Sequence, residues 1–203
     1  MKHQICVVVP IIDEFKMTRE SIKSFEDTTD SKLNFLIIDN GSDIPFKSTK
    51  KNIKVVRHKE NTGLLQSLQE GYKKVKKDKL GDIIFFTHND VFIKENGWDT
   101  RLFDVFDNHE KVGFVGFGGA EGIGAQGIYH IPYQKHHMAR QRFWSNMINA
   151  EDHGLRETGL RKVAVLDGFS MIAQVSTLDT IGGFDMGYPM HHMYDNDTRL
   201  EAT

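Results

Sequence analysis

The chain has 203 residues, enough for one substantial core, and no composition shift divides it. Hydrophobic residues at 39%, charged residues at 27% and only four prolines describe a folded soluble domain and exclude a disordered one. The net charge of -2 gives no general attraction to nucleic acid or to an anionic membrane.

A single cysteine, Cys6, excludes an intrachain disulfide framework and sits in an apolar run where a buried, reduced thiol is expected. No signal peptide or apolar segment of spanning length is present, so a cytoplasmic enzyme or binding domain is the expectation. Histidines pair at His136-His137 and His191-His192. Adjacent residues of a strand or helix point to different sides, so a pair rarely supplies two ligands to one metal.

In chain order, residues 5–9 form an apolar strand that Pro10 should stop. After a polar turn with Asp13 and Glu14, Thr18 is placed to cap a helix that puts Ile22 and Phe25 on one face. Residues 33–38 make a second strand, ending in Asp39-Asn40-Gly41-Ser42, a composition that suits a ligand-binding turn or an ordinary one. A short strand is expected at 53–57. Asn61-Thr62-Gly63 then opens an amphipathic helix carrying Leu64, Leu65, Leu68, Tyr72 and Val75. The lysine run at 73–79 falls at its end, where cations meet the helix dipole favourably.

Residues 83–90, Ile-Ile-Phe-Phe-Thr-His-Asn-Asp, read as a strand buried on both faces that delivers a carboxylate to its C-terminal end. In open parallel sheets ligands bind just beyond that edge. Asp90, beside His88 and Asn89, is placed to hold a divalent cation against a phosphate-bearing ligand, or else Asn and Asp make an Asx turn. A helix at 97–106 with Trp98 in the core and a strand at 112–117, broken by Gly118-Gly119, come next. Strands alternating with helices predict a right-handed, mostly parallel α/β sheet.

Residues 118–127 hold five glycines but neither the P-loop spacing nor Gly-x-Gly-x-x-Gly after the first strand, so a loop beside the site is expected. Residues 128–162 are rich in His, Arg and aromatics with poor periodicity. That suits a lid or acceptor-facing insertion as well as a surface helix with its loops. A strand at 163–166 leads to Asp167-Gly168-Phe169-Ser170, a buried strand at 171–175, and a short helix at 178–181 that Ser176 should cap.

Taken together, several motifs resemble a family 2 glycosyltransferase of the GT-A fold. They are the strand ending in Pro10, Ile37-Ile38-Asp39-Asn40-Gly41-Ser42, Glu60-Asn61-Thr62-Gly63 before a helix, Asn89-Asp90-Val91, and Gly182-Gly183-Phe184-Asp185 before Tyr194-Asp195-Asn196-Asp197. The resemblance covers nearly the whole chain, with the motifs in the family's order. It implies one α/β domain over 1–203, with a Rossmann-like, mostly parallel central sheet flanked by helices. The nucleotide-sugar-binding half would be 1–117 and the acceptor and catalytic half 118–203. It also implies a metal-dependent inverting transfer of a sugar from a nucleoside diphosphate sugar, UDP by family habit, to a hydroxyl acceptor that is a glycan, lipid-linked or other.

Site roles follow from the resemblance. Pro10 would border the nucleotide base, Asp39 would hydrogen-bond base or ribose, and Asn61 and Gly63 would belong to the loop that closes over the nucleotide. Asn89 would lie at the donor beside Asp90, the metal-binding last residue of an Asp-x-Asp motif. His88 stands where the first aspartate is expected, which removes that carboxylate's ribose contact. Asp195 would be the general base toward the acceptor hydroxyl, a role worth about 10²- to 10⁴-fold. Tyr194 replaces the glutamate usual before it, and capping of a nearby helix is the alternative role of Asp195 and Asp197. Mn²⁺ or Mg²⁺ would neutralise the leaving diphosphate. His192 is the candidate second metal ligand, a surface or acceptor-facing histidine being the alternative. Asp167 would meet a donor-sugar or acceptor hydroxyl, Gly168 would let the chain pass close to the sugar, and Trp144 would stack on an acceptor sugar.

Two other function classes stand beside this one: a non-catalytic nucleotide- or sugar-binding domain, and a sugar nucleotidyltransferase. The second is disfavoured because the turn after the first strand is acidic, with Asp13 and Glu14, and would repel a triphosphate. Nucleic acid is not an expected partner, membrane association is not evident, and no oligomeric state is readable. Family members usually continue beyond the position of Thr203, so a minimal domain or a fragment of a longer protein is expected.

Overall fold

The runs Ile5–Ile11 (β1), Asn34–Asp39 (β2) and Ile83–Thr87 (β4) carry almost no polar side chain, because helices cover both faces of the sheet they form. The structure, a computed structural model, describes residues 3–122, 143–148 and 155–187. Ile53–Arg57 (β3), β2, β1 and β4 pair in parallel in that spatial order. Ser170–Gln174 (β10) follows β4 antiparallel, and Phe114–Val115 (β5) closes the six-stranded sheet. The expected mostly parallel α/β sheet is what the chain forms.

Alternation along each strand divides the core in two. Val7, Val9, Phe35, Ile37 and Phe85 pack beneath Phe15–Thr28 (α1) and Trp98–Asn108 (α3), meeting Ile22, Phe25, Trp98 and Leu102. Cys6, Val8, Leu36, Ile38 and Phe86 face the other way, onto Leu65, Leu68, Tyr72 and Val75 of Leu64–Asp78 (α2) and Leu178 of Val175–Ile181 (α4). Burial pushes the Cys6 thiol up to about 12, so it stays a neutral, inert part of the core. On the first face Phe25, Phe85 and Trp98 meet edge to face with centroids 5.2 to 5.7 Å apart. Each such pair adds about 0.5–1.5 kcal/mol beyond its buried area.

Several local expectations are corrected. Pro10 does not stop β1, which continues to Ile11 in register with β2. Pairing with β4 ends at Val8, and the Ile11 carbonyl accepts from the N–H of Asn40, just after β2, so alternation turns the missing N–H of Pro10 toward the unpaired side. Thr18 does not cap α1. The helix begins three residues earlier, and the Thr18 hydroxyl donates to the Glu14 carbonyl at 3.1 Å. Nor does Ser176 cap α4, which starts at Val175 without a side-chain cap.

The strand expected at 112–117 is shortened to Phe114–Val115. After β5 the chain leaves the main sheet and enters a second one as Gly118–Ala120 (β6), flanked by Phe143–Ser145 (β7) with Leu155–Arg156 (β8), and by Val165–Leu166 (β9). The expected loop is therefore a strand in its first three residues, and part of the poorly periodic segment is sheet. Of the lid or surface helix expected over 128–162, residues 128–142 and 149–154 lie outside the described residues.

Candidate active site

Because β1 to β4 are parallel, their C-terminal ends share one edge, which collects residues 10–13, 39–42, 57–58 and 87–90. The antiparallel β10 begins at the same edge, with Ser170 opposite Thr87. This puts Asp167-Gly168-Phe169 beside the end of β4, where the Phe169 carbonyl accepts from the Thr87 hydroxyl at 3.1 Å and the His88 N–H at 3.4 Å. The structure thus brings Pro10, Asp39, Asn61, Gly63, Asn89, Asp90, Asp167 and Gly168 to one side of the sheet.

Asp39 is fully buried. Its Oδ1 accepts from the Ser42 N–H at 3.0 Å, and Oδ2 from the Phe46 N–H at 2.8 Å and Arg57 Nη1 at 2.6 Å. Burial pushes the carboxyl upward, but donors from Ser42, Phe46 and Arg57 outweigh it and hold it below the usual carboxylate range. Arg57 also donates to the Ser42 carbonyl at 2.6 Å. Asp39 therefore shapes the turn after β2 from below.

That turn is fastened on both sides. Ser42 Oγ accepts the Asp13 N–H at 2.8 Å, and Asp13 Oδ1 accepts the Asp43 N–H at 3.0 Å. Asp13 and Glu14 have φ of 53° and 50°, a left-handed pair of the kind that persists only where neighbours impose it. On the other side Asn40 donates to Asn61 Oδ1 at 2.9 Å and to the Gly63 carbonyl at 3.2 Å. Gly41, at φ 90°, lies so close to the next loop that a Cβ would stand 2.6 Å from the Glu60 carbonyl carbon.

The segment after β4 rests on α1 through small hydroxyls. Ser21 donates to the Val91 carbonyl at 2.6 Å, Ser24 accepts from the Ile93 N–H at 3.0 Å, and Asn89 donates to Thr18 at 3.3 Å. Asn89 is thereby committed to the scaffold. Asp90 and His88 are exposed, and the side chains of both are free of hydrogen bonds and ion pairs to the described residues. A free carboxylate at this edge fits a hard divalent cation that takes its remaining ligands from phosphate and water. Among the described residues no three His, Cys, Asp or Glu side chains gather into a metal cage.

Trp144 stands apart on β7, paired with Gly119 in the second sheet, with the Arg161 guanidinium 4.4 Å from its ring centroid. Gly182 and Gly183, at φ 79° and 86°, serve the tight turn that seats Phe184 against Phe86. Asp195, its neighbour Tyr194, Asp197, His191 and His192 lie outside the described residues. Sequence reasoning missed Arg57, His58 and Glu70. The first two could have been found as polar residues at the C-terminal end of a parallel strand.

The family model described as Glycosyl transferase family 2 matches residues 6–163. Among solved structures, the chain is similar to a mannosyltransferase from Pyrobaculum calidifontis in complex with GDP-Man and Mn²⁺, with a TM-score of 0.59 and 15% identity over 100% of this chain and 52% of that one. It is similar to residues 1–349 of TarS from S. aureus, with a TM-score of 0.58 and 14% identity over 98% of this chain and 55% of that one. A third similar structure is GalNAc-T7 with UDP, GalNAc and Mn²⁺, with a TM-score of 0.67 and 14% identity over 98% of this chain and 40% of that one. The chain thus spans about half the length of the first two. No curated protein matches it.

Proposed function

Since the chain belongs to glycosyl transferase family 2, we propose that it moves a sugar from a nucleoside diphosphate sugar to an acceptor hydroxyl, with inversion at the anomeric carbon. The observation that carries this reading is the free Asp90 carboxylate at the edge where four parallel strands end. Similarity to structures holding GDP-Man or UDP together with Mn²⁺ supports the donor class. UDP is the first nucleotide to try.

In this reading Asp39 and Arg57 fix the turn that meets base and ribose, Pro10 borders the base, and Asn61 and Gly63 cover the nucleotide. Asp90, with Asn89 beside it and His192 as a second candidate ligand, would hold Mn²⁺ or Mg²⁺. A bound cation neutralises charge on the departing diphosphate. The acceptor oxygen attacks the anomeric carbon as the bond to the β-phosphate oxygen breaks, and its proton passes to the Asp195 carboxylate. Asp167 holds a sugar hydroxyl, Gly168 leaves room for the sugar, and Trp144 stacks on the acceptor.

Incubation with Mn²⁺ and a panel of nucleotide sugars tests the assignment, with slow donor hydrolysis to nucleoside diphosphate expected. Asp90→Ala should abolish metal-dependent nucleotide binding, and Asp195→Asn should lower turnover by about 10²- to 10⁴-fold while leaving that binding in place. Binding without turnover would favour the non-catalytic domain to which His88 and Tyr194 point. Pyrophosphate-dependent chemistry would favour a nucleotidyltransferase. Full activity in Asp90→Ala would remove the metal assignment.

A further inference from the structure

His58 follows β3 directly, and its side chain is only 12% exposed. Its Nε2 lies 2.5 Å from Glu70 Oε2 on α2, and its Nδ1 lies 2.8 Å from Asn40 Oδ1 and 2.9 Å from Thr62 Oγ1. The orientation of Asn40 is fixed by its other contacts. Its Nδ2 donates to Asn61 and Gly63, and its Oδ1 accepts from both the N–H and the hydroxyl of Thr62, at 3.0 and 2.9 Å. Both nitrogens of His58 therefore face acceptors, an arrangement that an imidazolium satisfies and a neutral ring does not. In a ring protonated only at Nε2, the Nδ1 lone pair would oppose the Asn40 oxygen. The Thr62 hydroxyl would then have to leave Asn40 to relieve the contact.

We propose that His58, bridging Glu70 and Asn40 as an imidazolium, is a positioning residue for donor binding that holds the loop at 61–63 closed on the turn at 39–42. The proposal rests on the donor-binding reading of that loop given above. From α2 the Glu70 carboxylate meets His58, while the turn and the loop offer it the neutral Asn40 and Thr62. On its own segment, the Arg57 guanidinium is directed to Asp39 and Ser42, and Lys59 and Glu60 are exposed. His58 thus ties three elements together: the extension of β3, the turn after β2, and α2.

Amide hydrogen exchange on the full 203-residue chain, without ligand, reads the loop directly. In His58→Ala, protection at the Thr62 and Gly63 amides should fall about tenfold, while Val7, Leu36 and Phe85 in the central strands keep theirs. Glu70→Ala should reproduce the loss, and Glu70→Gln, which still accepts from Nε2, should retain most of the protection. Binding of UDP or GDP with Mn²⁺ should weaken about five- to tenfold in His58→Ala. Unchanged Thr62 protection in His58→Ala, or a loss in Glu70→Gln as large as in Glu70→Ala, overturns the proposal. Should the wild type bind neither nucleotide, the donor reading fails and the positioning role with it, while exchange still decides whether His58 closes the loop.

Discussion

A carboxylate with no exposed surface at the lip of a binding edge has to be kept charged by its neighbours, and Asp39 is held so by two backbone N–H groups and Arg57. Removing Arg57 leaves that charge buried with only the Ser42 and Phe46 donors. Arg57→Ala should therefore destabilise the fold by about 3 kcal/mol in denaturant titrations, near the lower end for a broken buried pair. The depressed Asp39 value fixes the sign of the pH effect. Its contribution is complete above the ordinary aspartate value of about 3.9 and is lost as pH falls through the lower folded value. Part of the acid limb of stability should vanish in Asp39→Asn, and an unchanged limb would show that Asp39 does not couple protonation to folding. This inward role was not legible from the sequence. The motif marks the position as important, but whether a carboxylate faces ligand or core depends on Arg57, which pairing of β3 with β2 sets directly beside Asp39.

At the scale of elements, the site depends on two loops packed closely enough that only glycine fits between them. Gly41→Ala would combine a left-handed backbone with a Cβ 2.6 Å from the Glu60 backbone. A loss of about 2–3 kcal/mol and weaker nucleoside diphosphate binding should follow together. Gly122, which faces open space, is the control: Gly122→Ala should stay within about 0.5 kcal/mol of the wild type by thermal melting and bind normally. The long elements, β1, β2, β4, α2 and α3, were readable because each carries several apolar residues at one period. Of the second sheet only β9 was read, within the strand expected at 163–166; β6, β7 and β8 were not, since strands of two or three residues have no period to detect. Its glycines also misled. Gly119 reads as loop composition, yet a Cβ there would stand 2.5 Å from the Val165 carbonyl, so glycine is what allows β6 and β9 to approach.

Over the whole molecule, the proposed donor edge draws on residues 10–13, 39–42, 57–63 and 87–90, whereas the strands of the second sheet lie at 118–120, 143–145, 155–156 and 165–166. The two meet where Phe117 donates to Ser170 Oγ at 2.8 Å and Asp167 donates to the Gly118 carbonyl at 2.9 Å. Yet β10, late in the chain, lies between β4 and β5, so a cut after residue 117 would take a central strand from the main sheet. Donor and acceptor functions should therefore separate by substitution rather than by truncation. Trp144 is the residue to use, because it lies in the second sheet, with the Arg161 guanidinium over its ring. Trp144→Ala should raise the acceptor KM about tenfold, as loss of an aromatic platform would, while the Kd for UDP or GDP with Mn²⁺ stays within about twofold. Equal weakening of both constants would mean that the second sheet supports the donor edge, and that acceptor recognition has to be sought elsewhere in the chain.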